Sequence, residues 1–200
     1  MIIHISGPSG SGKTTIGKWI KSKNINNVKI LDLDDILHKH IEKLEKSDKQ
    51  PKYIFKNFND LHQKLIDNII DLNKNKILIF VGISFDLEAG RPVEFRGSQE
   101  FLHNLYYDVK ADHKYYIDIS SIENMRQLFY RSIDELCHDK KWYFDEWVKN
   151  PKQTEEMLTH VLDISHWKRN KDAWDSLYKK NHYKFMSFDN LKKEILKLIK

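Results

Sequence analysis

Gly7-Pro8-Ser9-Gly10-Ser11-Gly12-Lys13-Thr14 is a complete G-x-x-x-x-G-K-T run, and each fixed position answers a need of phosphate chemistry. Glycines let the backbone curl until several N–H groups face one anion, and a helix opening directly after the loop aims its positive end at the same point. Lys13 is then expected to reach the β- and γ-phosphates of a triphosphate, and the Thr14 hydroxyl to serve a Mg²⁺ ion. Gly7, Ser9, Gly10, Ser11, Gly12 and Thr15 complete the expected cradle. The donor implied is ATP, with Mg²⁺ as its metal.

Asp32-Leu33-Asp34-Asp35 ends the next strand-like run, Val28 to Leu33. Phosphoryl transfer to an alcohol needs an in-line hydroxyl, a carboxylate able to take its proton, and a held metal shell. Alternation along an extended strand would put Asp32 and Asp34 on one face and leave Asp35 at a helix start. The expected roles are Asp34 as the base or acceptor-orienting group, Asp32 as an outer metal carboxylate, and Asp35 as cap or substitute base. Acidic residues are also ordinary turn formers. The third apolar run, Ile77-Leu78-Ile79-Phe80-Val81-Gly82, ends without the acid that many nucleotide-hydrolysing proteins use for Mg²⁺. Metal binding is therefore expected to depend on Thr14, water and the second-strand aspartates, and Gly82 to permit close approach of a substrate.

Arginine presents a rigid fork of donors that suits a transferring phosphoryl group. Arg126 and Arg131 lie on one expected helix and are candidates for a lid over ATP; Arg91 and Arg96 lie in a long loop and are candidates for reading an anionic acceptor. The i,i+2 spacing of His38 and His40 sends them to different sides of a helix and argues against a metal pair.

These residues require elements to position them. Strand-like runs occur at Met1 to Ser6, Val28 to Leu33, Lys76 to Gly82, Lys114 to Ile119 and Tyr183 to Ser187. Helical periodicity covers Lys13 to Lys23, Asp35 to Lys46, Phe58 to Leu72, Ser121 to His138, Pro151 to Ile164, Lys171 to Lys180 and Leu191 to Ile199. Strands alternating with helices predict a parallel sheet covered on both faces, with ligands beyond the carboxyl ends of the strands. Ser120 with Glu123 forms a capping box, and Asp189 is expected to cap the last helix. Ser84 to Asp112 reads as a long functional loop containing short elements.

Two hundred residues suit one domain, and residues 121–165 are expected to form a helical lid within it. A mean hydropathy of -0.65 and 32% charged residues exclude a membrane-embedded protein and favour the cytosol. Met1 runs directly into the first strand-like segment, so no leader is expected. The single cysteine, Cys137, excludes an internal disulfide. The net charge of +5 is spread along a lysine-rich chain, so nucleic acid is the less favoured partner. The oligomeric state is open.

With loop, aspartates and arginines together, the chain resembles the small phosphate-loop kinases: nucleoside monophosphate, shikimate, gluconate and adenylylsulfate kinases. The Asp32-x-Asp34 pair is similar to that of shikimate-type kinases, and Asp34-Asp35-Ile36-Leu37-His38 to a gluconate kinase segment. No Asp-Gly-x-Pro-Arg run follows the third strand, which departs from nucleoside monophosphate kinases. The phosphate loop, Asp34-Asp35 and the run Asn104-Leu105-Tyr106-Tyr107-Asp108-Val109 in combination are similar to kinase-like proteins of large DNA viruses, a resemblance that implies the host cytosol. The resemblance implies a P-loop NTPase fold, a three-layer α/β/α domain with a five-stranded parallel sheet and a helical lid. It implies transfer of the γ-phosphate of ATP to a hydroxyl or phosphate of a small metabolite or nucleotide. Two alternatives stand beside it: a polynucleotide 5′-hydroxyl kinase and a non-kinase ATP-binding switch.

Overall fold

A computed structural model describes residues 1–47, 51–84, 91–95, 98–102, 107–134, 150, 152 and 164–199. The elements are β1 (Ile2–Ser6), α1 (Lys13–Lys21), β2 (Val28–Asp32), α2 (Leu33–Glu45), α3 (Pro51–Asp71), β3 (Ile77–Val81), β4 (Arg91–Phe95), β5 (Ser98–Leu102), β6 (His113–Ile117), α4 (Ser121–Asp134), α5 (Ile164–Lys180), β7 (Lys184–Met186) and α6 (Phe188–Ile199). Five strands form one sheet in the order β2-β3-β1-β6-β7, and every pairing in it is parallel.

Strand alternation sorts β1 between two cores. Ile3 and Ile5 face one side, where Ile16 and Ile20 of α1 and Leu191, Ile195 and Ile199 of α6 close over them. Each such aliphatic side chain contributes roughly 1.5–3 kcal/mol by leaving water. On the other side Phe80 packs with Leu33, Leu37 and Leu44 of α2 and with Ile54, Phe58 and Ile66 of α3. Tyr116, Tyr178 and Tyr183 fill that face beneath α5. The fold is therefore a three-layer α/β/α domain around a five-stranded parallel sheet, as the alternation of runs predicts. Among the described residues no helix is long and apolar enough to cross a membrane.

Several boundaries differ from the sequence expectation. α3 begins at Pro51 and not near Phe58, because proline at the first helical position has no N–H to satisfy and its ring pre-sets the backbone angle. Inside the segment Ser84 to Asp112 the expected short elements are β4 and β5, which pair antiparallel with Phe95 opposite Ser98. α5 starts at Ile164, seven residues before Lys171. Asp189 lies inside the first turn of α6 and does not cap it. Much of the expected lid, including most of the helix Pro151 to Ile164, lies outside the described residues, as do Cys137 and Arg96.

Candidate functional site

The loop after β1 carries its chemistry in a closed, self-bonded form. Lys13 Nζ donates to the carbonyls of Gly7 at 2.8 Å and Pro8 at 2.9 Å, which folds the lysine over the loop from the first turn of α1. Gly12 caps α1 in the left-handed region at φ 92°, and a Cβ there would stand 3.0 Å from the Phe188 ring, so both the turn and the close packing require glycine. Ser11 Oγ is buried with no hydrogen-bond partner among the described residues, as are the hydroxyls of Ser6 at the end of β1 and Ser84 beyond β3. An unpartnered buried hydroxyl inside the loop fits a bound anion that would satisfy it. Thr14 and Thr15 are exposed at the loop's exit, and Ser9 is exposed at its tip.

α4 is docked directly on this loop. Buried Asn124 donates from Nδ2 to the Ser9 carbonyl, and Leu128 lies where a Cβ on Gly10 would meet it at 3.0 Å. Ser120 Oγ accepts from Glu123 N–H at 3.2 Å, so half of the expected capping box forms. The Glu123 carboxylate does not reach back to complete the box. It accepts from Arg126 at 2.8 Å and from Gln127 at 3.0 Å, and these bonds hold the Glu123 carboxyl below its usual range. Arg126 is thus exposed and paired within its own helix. Arg131 belongs to the last turns of α4 and Arg91 to β4; neither side chain is among those described.

The aspartates adopt a different arrangement from the one alternation suggests. β2 ends at Asp32 and α2 begins immediately at Leu33, so Asp32, with extended angles, is the helix cap and Asp35 is not. Its Oδ1 accepts from Asp34 N–H at 2.9 Å and Asp35 N–H at 3.4 Å. Asp34 sits in the helix, not on a shared strand face with Asp32. Burial raises the Asp32 carboxyl above its usual value, the two backbone N–H bonds oppose this, and the neighbouring Asp34 and Asp35 charges add to it.

Among the described residues, two clefts flank the loop. One, of about 730 Å³, lies between α1 and β2 and brings Thr14, Asp32 and Asp35 together above an apolar floor that includes Val81; Asp34 is not among its lining residues. The other, of about 370 Å³, is lined by Ser11, Gly12 and Thr15 of the loop, by Ile117 to Ile119, by Glu123 and Gln127, and by Phe188. Lys192 Nζ stands 4.4 Å from the centroid of the Phe188 ring. β3 ends in buried Val81 and carries no carboxylate, as expected from its sequence. At Gly82 the φ of 138° and a Cβ position 2.8 Å from Leu33 Cβ account for glycine by backbone packing.

The described residues also hold three buried polar contacts. His4, fully buried in β1, bonds through Nε2 to the Gly82 carbonyl at 3.0 Å and through Nδ1 to Tyr183 Oη at 2.6 Å. The carbonyl can only accept, so Nε2 carries the proton and Tyr183 donates to Nδ1; burial lowers this imidazole to about 4. His38 is exposed, whereas His40 is buried and its Nδ1 meets His62 Nδ1 of α3 at 2.9 Å. Burial lowers His62 to about 3. Lys171 of α5 is buried against Asp175. Among the described residues no group of three or more His, Cys, Asp or Glu stands ready to hold a metal.

The loop and sheet define a P-loop NTPase domain. Residues 2–111 match the family model described as the Sigma-54 interaction domain, and the chain belongs to that family. No curated protein matches the chain. Among solved structures, thymidylate kinase from Ehrlichia chaffeensis is 16% identical over 100% of this chain and 98% of its own, with a TM-score of 0.45. The structure of APE1195 is 17% identical over 90% of this chain and 95% of its own, with a TM-score of 0.34.

Proposed function

We propose that the chain is a Mg²⁺-dependent phosphotransferase that moves the γ-phosphate of ATP to a small acceptor. The observation that carries this reading is the cleft in which Thr14, at the head of the phosphate loop, shares one space with the carboxylates of Asp32 and Asp35. Lys13 neutralises the β- and γ-phosphates, and Ser11 and the loop amides hold them. Thr14 would hold Mg²⁺, with Asp32, whose Oδ1 is engaged at the helix cap, as the nearby outer carboxylate. This donor set suits an ion that keeps several waters and takes one or two carboxylates. When bound, Mg²⁺ supplies charge neutralisation across the triphosphate. The nucleoside lies in the smaller cleft against Ile117, Ile119 and Phe188. Of the two candidate bases the cleft favours Asp35, which is exposed and lines it, over Asp34.

The test is transfer of labelled γ-phosphate to a panel of metabolites and nucleotides. Asp35→Asn is expected to lower transfer at least a hundredfold with ATP affinity within twofold of wild type, and Asp34→Asn to leave most of it. Full transfer by Asp35→Asn would remove the base assignment. The family description supports a second reading: a nucleotide-dependent switch that docks on a protein partner and passes no phosphate on. ATP hydrolysis with no acceptor in the panel, and a partner bound in only one nucleotide state, would favour it.

A further inference from the structure

The turn that follows β3 is held from several directions and has one polar group left over. Its residues are Gly82, Ile83 and Ser84, and each of their carbonyls is engaged. Gly82 O accepts from buried His4 Nε2 at 3.0 Å, Ile83 O from Tyr107 Oη at 2.9 Å, and Ser84 O from Tyr107 N–H at 3.1 Å. Tyr107 is itself buried, with its ring edge-on to His62 at 4.6 Å between centroids. A buried tyrosine bonded twice to one turn fixes that turn in place. The Ser84 hydroxyl is the exception: the residue is 1% exposed, and among the described residues Oγ has no partner. An unmet buried donor costs stability, so it calls for a ligand or a role that repays it.

Topology places this hydroxyl beside the phosphate loop. β1 and β3 are parallel neighbours with Ile5 opposite Val81, and Gly82 N–H donates to Ile5 O at 3.1 Å. Ser84 is three residues beyond Val81, as Pro8 is three beyond Ile5, so both leave the same edge of the sheet from strands about 4.8 Å apart. The carbonyls of Gly7 and Pro8 are where Lys13 Nζ rests. Ser6 Oγ is also buried and unpartnered among the described residues, but Ser6 lies within β1 and below the loop. Ser84 lies past the end of its strand, on the side where ligands bind. β3 itself brings no carboxylate to that edge, and the hydroxyl of Ser84 is the side-chain donor that the turn presents there.

We infer that Ser84 is a catalytic residue: its hydroxyl donates a hydrogen bond to a non-bridging oxygen of the γ-phosphoryl group during transfer, and Tyr107 is the positioning residue that sets it there. The inference rests on the phosphotransferase reading. In the step, the acceptor oxygen bonds to the γ-phosphorus as the bond from that phosphorus to the β–γ bridging oxygen breaks. ADP departs with that electron pair, the acceptor's hydroxyl proton passes to the Asp35 carboxylate, and Ser84 keeps its own proton. Charge spreads over the phosphoryl oxygens in the transition state, where a fixed donor counts for more than it does in bound ATP.

Labelled ATP and the full chain supply two rates: release of inorganic phosphate to water, and transfer to the panel of metabolites and nucleotides. Ser84→Ala is expected to lower kcat in both at least tenfold, with the KM for ATP within twofold of wild type. Because alanine removes an unmet buried donor, the same variant is expected to melt at or above the wild-type temperature. Tyr107→Phe keeps the ring and loses the bond to Ile83; it is expected to lower kcat at least threefold alone and to cause no further loss beside Ser84→Ala. Wild-type rates in Ser84→Ala overturn the inference, as does a melting temperature well below wild type. A raised acceptor KM with kcat unchanged assigns the hydroxyl to acceptor binding and overturns it too. Equal losses from Tyr107→Phe in both backgrounds overturn the positioning role. Phosphate release that falls in Ser84→Ala, with no panel member phosphorylated by the wild type, supports the role of Ser84 and overturns the phosphotransferase reading. Bound ATP with neither rate measurable overturns both.

Discussion

Replacing Gly82 with alanine adds one carbon at a point where the structure leaves no room for it. The new Cβ would lie 2.8 Å from Leu33 Cβ and 3.4 Å from Leu33 N, at a φ of 138° that L residues rarely hold. Backbone strain of this kind costs about 1–3 kcal/mol, and overpacking a buried site costs about 1–3 kcal/mol more. The sum, about 2–6 kcal/mol, lowers the melting temperature of a domain this size by about 5–20 °C. Gly17 supplies the control. Its added Cβ would meet Val81 Cγ2 at 3.4 Å and Ile30 Cγ2 at 3.6 Å, ordinary contacts, inside helix α1. Gly17→Ala should therefore gain about 0.5–1 kcal/mol from helix propensity and melt a few degrees higher. Thermal melts followed by circular dichroism compare the two directly. Gly82 also abuts the start of α2, so phosphoryl transfer should fall more than ATP binding does in Gly82→Ala. A Gly82→Ala protein melting within about 1 °C of wild type, or above Gly17→Ala, would refute the packing argument.

Acid should destabilise the fold through its buried histidines. His4 at about 4 and His62 at about 3 stay neutral when folded but take a proton near 6.5 when unfolded. The unfolded chain binds more protons in that window, so stability is full above pH 6.5 and falls as pH drops toward 4 and then 3. The loss at pH 5 is on the order of 2 kcal/mol per histidine. Urea midpoints at pH 7 and pH 5 measure it, and equal midpoints would contradict the assignment. Asn124→Ala should weaken ATP binding several-fold by releasing α4 from the Ser9 carbonyl, read by titration calorimetry; unchanged affinity would make the contact structural only.

What the sequence shows well is what is encoded locally. The loop from Gly7 to Thr14 and the five parallel strands need only neighbouring residues to be recognised, since phosphate cradles and strand alternation repeat over a few positions. The helix at Asp32 was harder because strand and helix abut with no linker, and an aspartate at such a junction serves either element equally well. The pairs His4 with Tyr183, His40 with His62 and Asn124 with Ser9 join residues 179, 22 and 115 positions apart, and no periodicity marks them. A buried position for His4 was visible in one respect: it interrupts an otherwise apolar strand, which signals a polar group with a partner elsewhere.

The strand order carries a consequence for how the molecule comes into being. β1 lies at the middle of the sheet, and its Ile3 pairs with Ile79 on one side and His113 on the other. On a ribosome adding 5–20 residues per second, the second of those partners follows about 5–20 s after the first strand. Until then Ile2, Ile3 and Ile5 have only half a sheet to join, and the loop above them is tethered to an unfinished floor. The phosphate loop is thus made well before the floor beneath it is complete.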